Sequence, residues 1–272
     1  MYRSLVVRAV CLSAVILLSL ASYAFAAPFE LSPTAKSSFD RMVAGADAKA
    51  AAELKRSYSE LQALQGQEIS LDQKISALHY KNEERSASLR KEIKSIDSAK
   101  LRSLELSLEQ TERRYEPLFE LYSTHKSQLS IAKVSKNKEL IAFASAQAEI
   151  TKAAVKAANA SIDAKEAALK KAKSEAAAKM KAVRDLLSAA ETPETRIKAA
   201  KSSASSTKKL FVTESKILLQ NVRKLDAPAT SLSLSRMLLY QRQILAQRVK
   251  AYEYEGQIGA IIGKAEALLK TF

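Results

Sequence analysis

The chain has 272 residues, five glycines, no tryptophan, two histidines, one cysteine and a formal net charge of +15. Ala, Leu, Lys, Glu, Ser and Gln dominate, a composition that fits long helices and excludes glycine-rich phosphate loops and sandwich or barrel folds built on many turns. With Cys11 as the sole thiol, His79 and His125 as the only histidines, and no His or carboxylate cluster at metal-ligand spacing, the sequence offers little for catalysis or metal binding, and a non-enzymatic protein without cofactors is expected.

The first element, "MYRSLVVRAVCLSAVILLSLASYAFA", places Arg3 and Arg8 ahead of an apolar run that ends on Ala24-Phe25-Ala26. This is the pattern of a secretory signal peptide over residues 1–26, cleaved after Ala26, with an uncleaved anchor as the alternative. An exported chain without disulfides must draw its stability from packing or assembly.

Helix signals follow at prolines. Ser32-Pro33 reads as an N-cap followed by the first helical residue, and Thr192-Pro193 repeats it. The "DAPATS" stretch around Pro228 reads as a linker with a new start at Thr230 or Ser231, and Pro117 as either a kink or a stop. Residues 27–191 are expected to form two long helices in a coiled-coil hairpin, with the turn or kink within 117–138. Residues 192–272 should supply two shorter helices that pack back on it. The fold class is therefore all-α, an elongated antiparallel helical hairpin or bundle.

Apolar spacing supports this. Leu54, Leu61, Leu64, Leu71, Ile75, Leu78, Leu89, Ile93 and Ile96 recur at threes, fours and sevens, and a second frame runs through Leu101, Leu104, Leu108, Tyr115, Leu118 and Tyr122. The slip between Ile96 and Leu101 resembles a coiled-coil stutter. A cleaner heptad series follows at Val134, Ile141, Ala148, Val155, Ile162, Leu169, Ala176 and Val183. Its companions three residues on, Ala144, Thr151, Ala158, Lys165, Ala172, Lys179 and Leu186, are mostly small or polar. Such a stripe permits close approach but buries little apolar area.

Charge is uneven. Glu30 to Pro117 carries 15 basic and 15 acidic residues, whereas Ile131 to Lys209 carries 17 against 8. Lys152, Lys156, Lys170, Lys171, Lys173, Lys179 and Lys181 are the candidate contacts for an anionic cell-wall polymer or membrane surface. Phe143 is the only aromatic between Ile131 and Lys209, which leaves no platform for base stacking and disfavours nucleic acid. Self-association or a protein partner docked on the heptad seams, as in an extracytoplasmic adaptor or spacer, is the competing reading. The aromatic run "RYEPLFELY" is expected to fill space at a helix kink or reversal.

"GQIGAIIG" concentrates Gly256, Gly259 and Gly263. Its apolar core is far shorter than the roughly 20 residues a membrane-spanning helix needs, so the glycines are expected to let the last helix lie close against another, with Ile258, Ile261 and Ile262 beside them. Together, "ISALHYKNEE", "RYEPLFELY" and "KEAALKKAK" behind an export signal resemble a group of uncharacterised exported helical coiled-coil proteins of Gram-positive spore-forming bacteria. That resemblance implies a location at or beyond the cell surface and carries over no functional residues.

Overall fold

The computed structural model describes residues 28–272; the expected signal segment and Cys11 lie outside them. Six helices follow in order: α1 (Pro33–Gly45), α2 (Ala48–Lys94), α3 (Ser98–Ser135), α4 (Lys138–Ser188), α5 (Glu191–Lys224) and α6 (Ala227–Leu269). No strand occurs among the described residues, and the protein is all-α.

The caps explain where the helices begin. Ser32 accepts from the Ala35 N–H, with Pro33 in the first helical position. Asp47 accepts from the Lys49 and Ala50 N–H groups and starts α2, and Asn137 accepts from those of Glu139 and Leu140 and starts α4. Asp226 accepts from the Ala229 N–H, so α6 starts at Ala227, ahead of the expected Thr230 or Ser231. Pro228 thus falls in the first turn of a helix, where its missing N–H has no intrahelical partner to lose. By the same logic Pro193 lies inside the first turn of α5, whose first residue is Glu191.

The first long run is not one helix. It breaks at Ala46-Asp47 and again before Asp97, where the backbone turns left-handed (φ 55°). The frame slip between Ile96 and Leu101 is therefore a helix break and not a stutter within a continuous helix. Pro117 does not stop α3, which runs through it to Ser135 with the proline on the exposed side. The chain reverses at Lys136 and Asn137, where Lys136 is again left-handed (φ 56°).

The described residues divide into two compact units, one from residues 28–77 with Arg196–Tyr254, the other from Leu78–Thr195 with Glu255–Phe272. In the first unit, α1 lays Phe39, Met42 and Val43 into a core shared with Leu54, Tyr58 and Leu61 of α2, Phe211, Leu218 and Val222 of α5, and Leu234, Met237 and Ile244 of α6. Large side chains at helical spacing on four helices give this unit a conventional apolar interior. The Tyr58 hydroxyl accepts from the Leu31 N–H and pins the approach to α1. Here α2 and α6 run parallel, as Glu68 with Gln241 and Asp72 with Arg248 show, and α5 returns antiparallel to α6 through the turn at Leu225.

In the second unit α3 and α4 form an antiparallel hairpin. The cross-pairs Lys165 with Ser107, Lys173 with Glu105 and Lys179 with Asp97 fix its register. Its buried residues are mostly small: Ala132 on α3, and Ala144, Ala148, Thr151, Ala158, Ala172 and Ala176 with Leu169 and Val183 on α4. The heptad seam thus faces α3 from Ile141 onward. Val134, counted with it, is exposed because it precedes the reversal and sits on the other helix.

Candidate functional site

The seven candidate lysines all lie on α4, but they do not share one face. At 3.6 residues per turn, Lys152, Lys156, Lys170 and Lys181 fall within a narrow sector turned away from the seam, and Lys171 lies at its edge. Lys156, Lys170 and Lys171 are exposed. Lys152 pairs with Glu149 and Lys181 with Asp185 along the same helix. Such exposed pairs contribute little and leave the ammonium groups accessible.

Two lysines serve the hairpin. Lys173 reaches Glu105 on α3 at 2.8 Å. Lys179 sits on the seam side, pairs with Asp97 at 2.8 Å and lies over the Phe272 ring, 5.5 Å from its centroid. Its half-buried ammonium satisfies the helix break at Asp97, which removes it from the contact set. The companion stripe already places Lys179 toward α3, three residues on from the buried Ala176.

Both histidines lie at helix contacts. His125 on α3 approaches the Thr151 hydroxyl of α4, with its Nδ1 at 3.3 Å. His79 on α2 places Nδ1 2.9 Å from Glu255 Oε1 on α6. Asn82, one turn on, donates to both the Glu255 carboxylate and its backbone carbonyl, at 3.0 and 2.8 Å. Arg85 then grips Glu266 through two nitrogens, at 2.9 and 2.7 Å. These bonds form a polar ladder between parallel helices, and nothing in the local sequence around Glu255 or Asn82 marks it in advance. Among the described residues no group of His, Cys, Asp and Glu is placed to hold a metal ion.

The glycine segment lies beside this ladder. A Cβ on Gly259 would stand 3.0 Å from Asn82 Oδ1, and one on Gly263 would stand 3.5 Å from Arg85 Nη2. Those two glycines do allow close approach. Gly256 faces open space and plays no such part. No helix among the described residues is long and apolar enough to cross a membrane.

The aromatics Tyr115, Phe119 and Tyr122, expected to fill space at a kink or reversal, are half-buried along a stretch of α3 that continues through Pro117, and the reversal lies further on at Lys136 and Asn137. No protein-family profile, curated protein or solved structure matches this chain.

Proposed function

We propose that the protein is a non-enzymatic, exported helical protein that holds to an anionic cell-envelope polymer or membrane surface through the outward face of α4. The observation that supports this reading is the shared, solvent-facing sector of Lys152, Lys156, Lys170 and Lys181, with exposed Lys171 at its edge. A row of lysines on one rigid helix presents charge at a fixed spacing without ordering any segment on contact. Near an anionic surface each such lysine contributes about 1 kcal/mol, so neutralising four lowers affinity by roughly a thousandfold.

Co-sedimentation with cell envelopes at low and high salt tests the proposal. Binding that fades with added salt, and that disappears in the Lys156→Glu, Lys170→Glu, Lys171→Glu, Lys181→Glu variant, is the expected result. Binding that survives both salt and the four reversals would remove the lysine face from the account and leave docking of a protein partner on the helical seams.

A further inference from the structure

The end of the α3–α4 hairpin carries a second surface that the lysine face does not include. Ile131 is 68% exposed, Val134 81%, Phe143 63% and Ile150 73%, and Leu140 is exposed as well. Five large apolar side chains left in solvent within 20 residues are unusual for a helix pair. Four of the five lie together, Val134 being the exception. The buried positions at this end are Ala132 on α3 and Ala144 on α4. Counting about 100° per residue from each, with the helices antiparallel, Ile131, Leu140, Phe143 and Ile150 turn to one side of the hairpin. Lys133, Lys138 and Lys152 turn to the other. Lys136 stands at the reversal itself.

The occupant follows from charge. Between Ile131 and Lys156 there are five lysines and two glutamates. Two copies joined over this face would bring together two segments of net charge +3 without giving any lysine a counter-charge. An anionic lipid surface meets the same segment with complementary charge. An apolar face on one side and lysines on the other, with stems long enough to reach headgroups, is the arrangement of an interfacial helix pair lying in the plane of a bilayer.

We infer that the end of the hairpin, residues 131–152, lies on an anionic lipid bilayer with Ile131, Leu140, Phe143 and Ile150 sunk into the headgroup–acyl boundary. This rests on the proposed envelope location for its anionic partner, but it names lipid over polymer and a different set of side chains. The contact is shallow and reversible, since four side chains bury far less than a spanning helix does.

The absence of tryptophan from the chain makes Phe143→Trp a single reporter. The probes are vesicles of phosphatidylcholine mixed with phosphatidylglycerol, and vesicles of phosphatidylcholine alone. Blue-shifted indole emission with the anionic vesicles, quenched by brominated acyl chains, is expected, with little change on the neutral ones. An Ile131→Ser, Phe143→Ser variant should keep its helical circular dichroism, because both side chains are exposed, and should lose vesicle partitioning about tenfold or more. Vesicle binding with unshifted indole emission overturns the inference while leaving the lysine face intact. So does a blue shift that arises without lipid and follows protein concentration, which would assign the face to a second copy. Loss of binding to envelopes when the four α4 lysine reversals are added to Phe143→Trp, with the emission shift on vesicles preserved, would separate the two sites and support this one.

Discussion

His79 and Glu255, 176 residues apart in the chain, meet at 2.9 Å across two parallel helices, with the Glu255 side chain 1% exposed. A carboxylate so deeply buried persists only because imidazole and the Asn82 amide take up its oxygens. Such a pair should serve the register of α6 on α2 more than net stability.

His79→Ala strips one of those partners away, and about 1–3 kcal/mol of stability should go with it. Adding Glu255→Leu removes the stranded carboxylate, so the double variant should lose less than the two single changes summed. Urea unfolding of the four proteins in this cycle measures the coupling. Strict additivity would show that the two side chains do not act together.

The glycines of α6 should respond in opposite directions. Gly256→Ala meets nothing within 4 Å, so it gains helix propensity, about 1 kcal/mol. Gly259→Leu drives a side chain into Asn82 and Arg85 and should lower the melting temperature and disturb the ladder beside it. A Gly259→Leu protein that melts unchanged would contradict the close approach.

Three helix breaks turn on non-glycine residues in the left-handed region, Asp97, Lys136 and Leu225, and none of the described glycines has positive φ. Replacing Lys136 or Leu225 with glycine relieves the Cβ clash, a gain of about 1 kcal/mol each. Asp97→Gly should gain less, because Asp97 also holds Lys179. Thermal melts of the three single variants rank them directly.

These breaks also show what the sequence could and could not convey. Ser32 ahead of Pro33 announces its helix because cap and proline act locally, and the Ile141 to Val183 repeat announces its seam because the pattern is long. The breaks at Asp97, Lys136 and Leu225 show in the sequence only coarsely, as the frame slip between Ile96 and Leu101, the turn window 117–138 and the linker around Pro228. Their exact positions stay hidden because the residues in the left-handed region are not the glycine that usually marks it. The ladder of His79, Asn82 and Arg85 with Glu255 and Glu266 was illegible for another reason. Its partners lie more than 170 residues apart, and single polar residues on parallel helices carry no periodic signature. Lys179 reads as a surface contact in the sequence although its place in the companion stripe points it toward α3, where it pairs with Asp97.

Two carboxyl groups should pull the acid limb of stability in opposite senses. The hydrogen bond from Arg85 holds the Glu266 carboxyl below its ordinary value of 4.5. Its contribution is present above that value and is lost as pH falls through the lower folded pKa. Asp72 is pushed above 3.8 by burial, which outweighs Arg248 with its Nε 3.0 Å away. Its contribution is present below 3.8 and is lost as pH rises through the higher folded pKa. Arg85→Met should therefore make acid unfolding begin at higher pH than Asp72→Asn does, measured by circular dichroism across a pH series. The reverse order would contradict both assignments.

The alanine interior of the α3–α4 hairpin has a kinetic consequence. Phe39, Tyr58, Phe211 and Met237 fill the core of the first unit, while Ala144, Ala148, Ala158 and Ala172 line the hairpin. Each turn of the hairpin gives up little apolar contact when it opens, so its amides should exchange with solvent through local separation of the two helices rather than through global unfolding. Protection should fall steadily from the ion-paired end at Lys179 and Asp97 toward the reversal at Lys136. The hairpin would then behave as a clasp that loosens from its free end while the larger-residue core stays shut.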